Sequence, residues 1–335
     1  MSTARTAGVM ILAALAAVGL GANVLSANPP DRQFTSHVYA PPMLPRVIDA
    51  TGSLRAPFVY PLRLEDRLTR TFTVDRSKPM PLRFFTGGVL LGVDPAHAEP
   101  WFPLGTDGLG RDVFSRLAAG ARTSLGVAAL AALGALLIGA SIGAAAGSSG
   151  GSVDLVMMRI ADFVLALPVL YVVMALRAAA PLVLEPMQIF WILVLVFALA
   201  AWPLPARGVR AIVAVESSRE YAEAARSVGS SAARLLLRHL LPATRGFLAT
   251  QAALLVPGFI VAEATLSFVG LGFSEPIASW GAMLQDAGRG RAVAEAPWLL
   301  SPALAIALVV LAINLVASGG VLDRPPLLFR RKYQS

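Results

Sequence analysis

The sequence contains no cysteine and little charge. Its 335 residues are 56% hydrophobic and only 14% charged, and the mean hydropathy is +0.68. The missing cysteines exclude disulfide scaffolds, thiolate metal sites and thiol nucleophiles. Soluble proteins usually carry about 25% charged residues. The composition therefore argues against an ordinary cytosolic enzyme and favours a membrane protein.

Three other features are scarce. No G-x-x-x-x-G-K-[ST] phosphate loop occurs, so we expect the chain not to hydrolyse ATP itself. The histidines, at positions 37, 97 and 239, are widely separated, which predicts no metal site within the chain. Acidic residues are outnumbered, giving a net charge of +8. In so hydrophobic a chain this excess indicates contact with membrane lipid, and nucleic acid is not needed to explain it.

Charge-free runs predict an all-α membrane protein with six transmembrane helices, since a span needs roughly 20 mostly apolar residues. The first, second and third predicted spans are Ala7 to Ala27, part of 123–153, and a helix that must carry Arg159 or Asp162. The fourth, fifth and sixth are Pro186 to Ala206, a helix from Gly246 that contains Glu263, and part of 296–322.

The distribution of arginine predicts the orientation. Residues 207–245 hold seven arginines and three glutamates, and the tail, 324–335, adds four basic residues. Because Lys and Arg near a span are retained in the cytoplasm, we expect this loop, the tail and both termini to be cytoplasmic. Residues 1–27 would then be a retained anchor. The alternative is a cleaved signal peptide.

A different composition marks residues 28–104, which contain 12 of the 24 prolines. Proline at this density favours turns and extended chain, and the runs 68–75 and 82–93 are typical of short strands. We expect a small, loop- and β-rich extracytoplasmic insert. It is either a lid without a ligand or a contact surface for an extracytoplasmic partner.

The loop between the fourth and fifth spans has the pattern of two helices joined at Gly229. Ser217 and Glu220 are spaced as a capping box, and Gly229 is placed to end the first helix. Tyr221, Ala224, Ala225 and Val228 recur at helical spacing and predict a narrow apolar stripe. Ser230 or Ser231 would cap the second helix, 232–241, which Pro242 separates from the fifth span. On physical grounds alone, an amphipathic hairpin lying on anionic lipid explains the pattern equally well.

Three ordered segments resemble a known family. Glu223-Ala224-Ala225, then Gly229, then His239-Leu240-Leu241-Pro242 resembles the EAA motif of membrane subunits in binding-protein-dependent ABC importers. Histidine at position 239 is typical of its dipeptide and oligopeptide branch. Residues 103–125 and 263–284 resemble C-type peptide permeases. The resemblance implies a type I permease fold, with residues 105–323 as the core permease domain.

The resemblance also implies roles and partners. Tyr221 to Gly229 would form a coupling helix that docks on an ATPase, with Glu223 and Arg226 as polar contacts and Ala224 and Ala225 allowing close approach. The chain would pair with a sister permease, two ATPase subunits that use ATP, and an extracytoplasmic binding protein, in a bacterial inner membrane. It would bind no cofactor itself, and its cargo would be dipeptides or oligopeptides, or alternatively nickel, opines or other small solutes.

Several polar and small residues lie in or near the predicted spans. A charge at mid-span costs about 2.5 to 3.5 kcal/mol, so we expect Glu263 to make structural hydrogen bonds or to line the translocation path. Asp162 should form a local ion pair with Arg159. Asp107 and Asp112, beside Arg111 and Arg116, should pin an interfacial elbow. The glycines 134, 139, 143 and 147 permit tight helix crossing.

Two other classes of protein remain as alternatives. A membrane-embedded hydrolase would use Glu263 with Asp162 or a histidine, although those residues are predicted at opposite membrane depths. An ion-coupled secondary transporter would need internal repeats and charged residues at mid-membrane, and neither is clear in the sequence.

Overall fold

The computed structural model describes residues 3–49, 52–66, 69–94, 96, 99–179, 185–273, 275–288 and 295–322. Within them the chain is mostly helical. The longer helices are α1 (Thr3–Leu20), α3 (Val113–Ser149), α4 (Gly151–Ala166), α5 (Val169–Ala179), α6 (Pro186–Ala201), α7 (Pro203–Ser217), α11 (Arg245–Phe268) and α13 (Ser301–Leu322). The shorter ones are α2 (Ala22–Leu25), α8 (Glu220–Ser227), α9 (Ala232–Leu235), α10 (Leu241–Ala243) and α12 (Trp280–Ala287).

The 37-residue helix α3 is the centre of the fold and contacts α1, α4, α6, α7 and α11. It begins after Asp112, whose carboxylate accepts a hydrogen bond from the Phe114 N–H at 3.1 Å. Glycine permits its close packing, because a Cβ at Gly139 would lie 2.7 Å from the Trp202 carbonyl oxygen and one at Gly147 would lie 2.6 Å from that of Arg210. The predicted tight crossing is therefore confirmed, and it joins α3 to α7.

Four helices in the described part of the chain are long and apolar enough to cross a membrane, or five if α6 and α7 count as one span. The helices α1, α3, α11 and α13 correspond to the first, second, fifth and sixth predicted spans. The fourth predicted span is α6, which continues into α7 through a 42° bend. The six-span count is not reached by this criterion.

The segment that carries Arg159 and Asp162 explains the difference. It forms two shorter helices, α4 and α5, which are separated at Leu167 and Pro168. A residue before proline is disfavoured in the helical region, and Leu167 is extended, with ψ of 122°. A single long third helix was therefore the wrong expectation.

Residues 28–104 contain six short strands: β1 (Arg46–Ile48), β2 (Leu54–Val59), β3 (Leu62–Asp66), β4 (Thr71–Val74), β5 (Met80–Thr86) and β6 (Val89–Val93). They form an antiparallel sheet in the order β1-β2-β5-β6 and a separate β3-β4 pair. Both runs predicted as strands contain strands, although Leu68 lies outside the described residues. A small hydrophobic core supports the sheets: Ala40, Met43, Val59, Leu62, Met80, Leu82, Trp101 and Phe102.

The insert is joined firmly to the start of α3. The Asn28 side chain donates hydrogen bonds to the Trp101 carbonyl at 2.6 Å and to the Asp112 carboxylate at 3.1 Å. Backbone bonds also link the Thr106 N–H to the Ala40 carbonyl and the Tyr39 N–H to the Asp107 carbonyl. The ends of the first and second long helices are thereby fixed to each other.

Candidate functional site

The EAA segment forms the short helix α8, which ends at Gly229. Gly229 has φ of +84°, in the left-handed region that glycine adopts most easily. The Ser230 N–H donates to the Ala225 carbonyl at 3.0 Å, and the Gly229 N–H donates to the Arg226 carbonyl at 2.9 Å. These two bonds define a Schellman motif. The predicted helix end at Gly229 is therefore confirmed.

The start of α8 differs from the prediction. Ser217 is the last residue of α7, and its hydroxyl donates to the Ala214 carbonyl at 2.9 Å. Arg219 occupies the N-cap position of α8, and no side chain caps it. The expected capping box of Ser217 and Glu220 is wrong because α7 continues through Ser217, where the hydroxyl bonds back to its own helix.

The two faces of α8 have different surroundings. Ala222 is fully buried and Ala225 is half-buried against a cluster that includes Ala144 of α3, Val209 and Val213 of α7, Leu235 and Leu240. Next to Ala225 on the helix surface, Tyr221 is 40% exposed and Val228 is 89% exposed, and Ala224 is also exposed. The predicted stripe is thus divided: Ala225 packs inward, whereas Tyr221, Ala224 and Val228 form what we call the outer face of α8. Glu223 and Arg226 are also exposed, on other sides of the helix.

Side-chain contacts hold α8 against its neighbours. The Tyr221 hydroxyl donates to Glu216 Oε2 at 2.8 Å, and Arg219 Nε pairs with Glu216 Oε1 at 3.1 Å. Partial burial and the hydrogen bond to Glu216 raise the pKa of Tyr221. The His239 ring lies 6.3 Å from the Tyr221 ring, centroid to centroid. Tyr221 and His239, 18 positions apart, are therefore brought together.

The second half of the loop is less regular than predicted. Ser231 caps α9 by accepting a hydrogen bond from the Arg234 N–H at 3.3 Å, as expected for one of the two serines. The chain then forms a π-helical turn, Leu236–Leu240, that contains His239. Residues 232–243 are helical without a break, so the expected helix over 232–241 is present, with a π-helical middle. It continues through Pro242 to Ala243, and the separation from α11 lies at Thr244 rather than at Pro242.

Two ion pairs connect α7 to α4. Arg210 Nε donates to Asp154 Oδ1 at 2.9 Å, and Arg207 pairs with Asp162. The expected pair of Asp162 with Arg159 is wrong: Arg207 takes up the carboxylate because α7 packs against α4. Asp162 is about half-exposed and belongs to these contacts between α4 and α7.

Glu263, in α11, is fully buried in a network of hydroxyl groups. The Ser124 hydroxyl donates to Glu263 Oε2 at 2.7 Å, and the Ser267 hydroxyl donates to Oε1 at 2.8 Å. Ser124 in turn accepts from the Trp280 N–H at 3.1 Å, and Ser267 accepts from the Phe273 N–H at 3.0 Å. Glu263 thus joins α3, α11 and the start of α12. These are hydrogen bonds of the kind expected for a structural role of Glu263.

A second buried polar cluster surrounds Arg111. Its guanidinium pairs with Asp107 at 2.7 Å, with Asp286 at 3.1 Å and with Glu275. Burial opposes ionisation of Glu275, but the hydrogen bond from Arg111 and the charges of Arg116 and Arg111 outweigh it and lower the pKa. Burial and the neighbouring Glu275 raise the pKa of Asp286. At the predicted elbow, three carboxylates therefore pair with the one guanidinium group of Arg111.

Sequence reasoning missed four participants in these networks: Ser124, Ser267, Glu275 and Asp286. The bonds that join Glu263 to Ser124 and Arg111 to Asp286 cross 139 and 175 positions of the chain. No local spacing pattern indicates these distant partners, whereas Ser267 lies four residues after Glu263 in the same helix, a spacing that does place two side chains side by side. The two carboxylates suggested for a hydrolase, Glu263 and Asp162, lie in separate networks. The described residues hold no group of three or more His, Asp or Glu side chains arranged to bind a metal.

Comparison with known proteins identifies the family. Residues 135–321 match the family model of the binding-protein-dependent transport system inner membrane component. The dipeptide transport system permease protein DppC of Bacillus subtilis is 41% identical over 226 residues, which cover 67% of this chain and 68% of that protein. The oligopeptide transport system permease protein OppC of the same species is 38% identical, over 69% and 73%. OppC of Haemophilus influenzae is 37% identical, over 66% and 69%. On these matches, the chain belongs to the family of inner membrane components of binding-protein-dependent transport systems.

Proposed function

We propose that this chain is the permease subunit of an ATP-driven importer for dipeptides or oligopeptides. The peptide cargo is inferred from the names of DppC and OppC, its relatives. This chain would form one half of the translocation path, and a sister permease would form the other half. Two ATPase subunits would supply the energy, because the sequence has no phosphate loop. Nickel, opines or other small solutes are the alternative cargo, and no observation favours them.

The outer face of α8 carries this proposal. Tyr221, Ala224 and Val228 expose apolar surface on a helix that lies between two long apolar helical segments. A small residue in the middle of such a face lets a partner approach closely. The exposed Glu223 and Arg226, on other sides of the same helix, would add polar contacts. We infer that this face seats in the ATPase subunit.

Packing behind α8 supports a mechanism of transmission. Ala222 and Ala225 are packed against residues of α3 and α7. The close approach of α3 and α7 at Gly139 and Gly147 leaves little freedom for one to slide on the other. A movement of α8 would therefore carry α3 and α7 with it. Switching between outward and inward openings needs two discrete packings biased by the nucleotide state of the ATPases.

The topology follows from the same assignment. The pair α4–α5 would supply the sixth crossing, which places α8 and both termini in the cytoplasm. The packing of α1 on α3 and α13 supports a retained anchor. The insert would lie outside the cell membrane, where the binding protein delivers its cargo. Glu263 would hold the helices together and would not contact the cargo, since both its oxygens accept hydrogen bonds from serines.

The test is Ala224→Arg, compared with Ala233→Arg as a matched control. Both alanines are exposed and lie in the same loop, in α8 and α9 respectively. We expect Ala224→Arg to abolish copurification with the ATPase subunits and peptide uptake, while membrane insertion is unchanged. Ala233→Arg should retain the ATPase. Equal copurification of the two variants would refute the docking role of the outer face.

A further inference from the structure

The β5–β6 hairpin exposes three apolar side chains that the transport function does not use, with Phe84, which pairs with Leu91, on the opposite face of the hairpin from Leu90. Phe84 is 65% exposed and Phe85 is 79% exposed, and Leu90 on the other strand is also exposed. The hairpin turns at Gly87 and Gly88, which both have positive φ, as a tight type I′ turn requires. Two exposed phenylalanines on one short hairpin are unusual for a surface in water, so the hairpin tip needs a partner.

The ends of α1, α2 and α3 indicate where the hairpin lies relative to the membrane surface. Gly19 of α1 packs against the backbone of α3 at Ala121 and Arg122. Arg122 bounds the uncharged stretch of α3, so the hydrocarbon of the membrane ends close to this level. The helix α2 starts three residues after Gly19 and ends six residues after it, about 5 to 9 Å farther along the axis. That distance matches the headgroup layer, which adds roughly 5 to 7 Å to each side of the hydrocarbon.

The hairpin lies beside α2. Strand β6 contacts α2 directly, and Gly87 and Val89 of the hairpin line the same cleft as Ala27 and Asn28, just after α2. The Asn28 side chain is hydrogen-bonded to Asp112 at the start of α3. The position of the region around α2 is therefore fixed relative to the long helices α1 and α3. The exposed phenylalanines therefore belong to a hairpin at headgroup depth.

We propose that the β5–β6 hairpin is a lipid anchor: Phe84, Phe85 and Leu90 enter the headgroup layer and hold the insert against the bilayer. Interfacial amphipathic segments bury Trp, Phe and Leu side chains about 5 to 10 Å into the boundary between headgroups and acyl chains. The position of the hairpin beside α2, at headgroup depth, favours lipid over a soluble protein as the occupant. The proposal does not depend on the cargo, on the ATPase contact or on the side of the membrane.

The absence of cysteine allows a direct test. The full chain would be reconstituted in nanodiscs of phosphatidylethanolamine and phosphatidylglycerol, with one spin label at Phe84→Cys or Leu90→Cys. Val74→Cys is the matched control, since Val74 is an exposed strand residue in the separate β3–β4 sheet. Collisions of each label with oxygen, which concentrates in lipid, and with a water-soluble nickel chelate would be measured.

We expect the ratio of oxygen to nickel collisions to be several-fold higher at positions 84 and 90 than at position 74. Two results would overturn the proposal. Equal nickel access at all three positions would place the hairpin in water. Shielding at position 84 that arises only when a binding protein is added would assign the surface to protein docking. Because Leu90→Cys probes the same tip from the other strand, a poorly folded Phe84→Cys variant does not prevent the test.

Discussion

The polar residues at the two ends of α3 are organised in opposite ways. At the α8 end, Glu216, Arg219 and Tyr221 lie within six positions of one another, and their contacts are largely exposed. At the other end, Arg111 and Glu263 each have one partner four positions away and further partners from distant segments, and these contacts are mostly buried. The first arrangement leaves a helix face free for a partner. The second fixes helix ends to each other, because a buried charge is tolerated only when it is paired and hydrogen-bonded.

The difference also concerns what can move. Surface ion pairs contribute about 0 to 1 kcal/mol, so they are exchanged easily when a subunit docks. Breaking a buried ion pair costs about 3 to 5 kcal/mol. We therefore expect conformational change to be concentrated at the α8 end, while the Arg111 and Glu263 networks move as one body. Substitutions at matched positions in the two regions test this contrast.

The largest effect is expected for Arg111→Met. The change leaves Asp107, Glu275 and Asp286 without their shared counterion. We expect the free energy of unfolding to fall by about 3 kcal/mol, the lower end of the range for a broken buried ion pair, because Glu275 is nearly half-exposed. Thermal unfolding in detergent would measure it. The control Arg219→Met should cost about 0 to 1 kcal/mol. Equal losses would show that the two regions do not differ.

The next effect separates two glycines. Gly139→Ala should force α3 away from α7, because the new Cβ would lie 2.7 Å from the Trp202 carbonyl oxygen. Such overpacking costs about 1 to 3 kcal/mol. Gly229→Ala meets no atom within 4 Å but must adopt φ of +84°, which costs about 1 to 2 kcal/mol. We expect Gly139→Ala to lower the unfolding temperature more, and Gly229→Ala to reduce ATPase copurification more. The reverse pattern would contradict the assigned roles.

A smaller effect is expected for Glu263→Gln. The amide keeps the size of the side chain and one acceptor oxygen, but one of the hydroxyls of Ser124 and Ser267 must reorient. A rearranged neutral hydrogen bond costs about 0.5 to 1.5 kcal/mol. If Glu263 is structural, peptide uptake should remain close to that of the unaltered chain while the unfolding temperature falls slightly. Loss of uptake without loss of stability would instead place Glu263 in the translocation path.

These contrasts also show what the sequence could predict. The end of α8 at Gly229, the cap at Ser231 and the close packing of the α3 glycines depend on neighbouring residues or on one helix face, and all three were predicted. The pairing of Asp162 with Arg207, of Arg111 with Asp286 and of Glu263 with Ser124 depends on how distant segments meet, so local spacing could not identify it. The break between α4 and α5 was missed for a different reason: a search for charge-free runs does not weigh Pro168.

The smallest effect on stability, and the sharpest test of the α8 end, is Tyr221→Phe. The change removes only the hydroxyl that donates to Glu216 at 2.8 Å. Because the hydroxyl is exposed, we expect the free energy of unfolding to fall by no more than about 1 kcal/mol. If this bond sets the angle of α8 against α7, ATP-dependent peptide uptake should fall several-fold while ATPase copurification is retained. Ser227→Ala is the control, since it removes an exposed hydroxyl that bonds only within α8, to the Glu223 carbonyl. Equal uptake by both variants would mean that packing of Ala222 and Ala225 alone positions the helix.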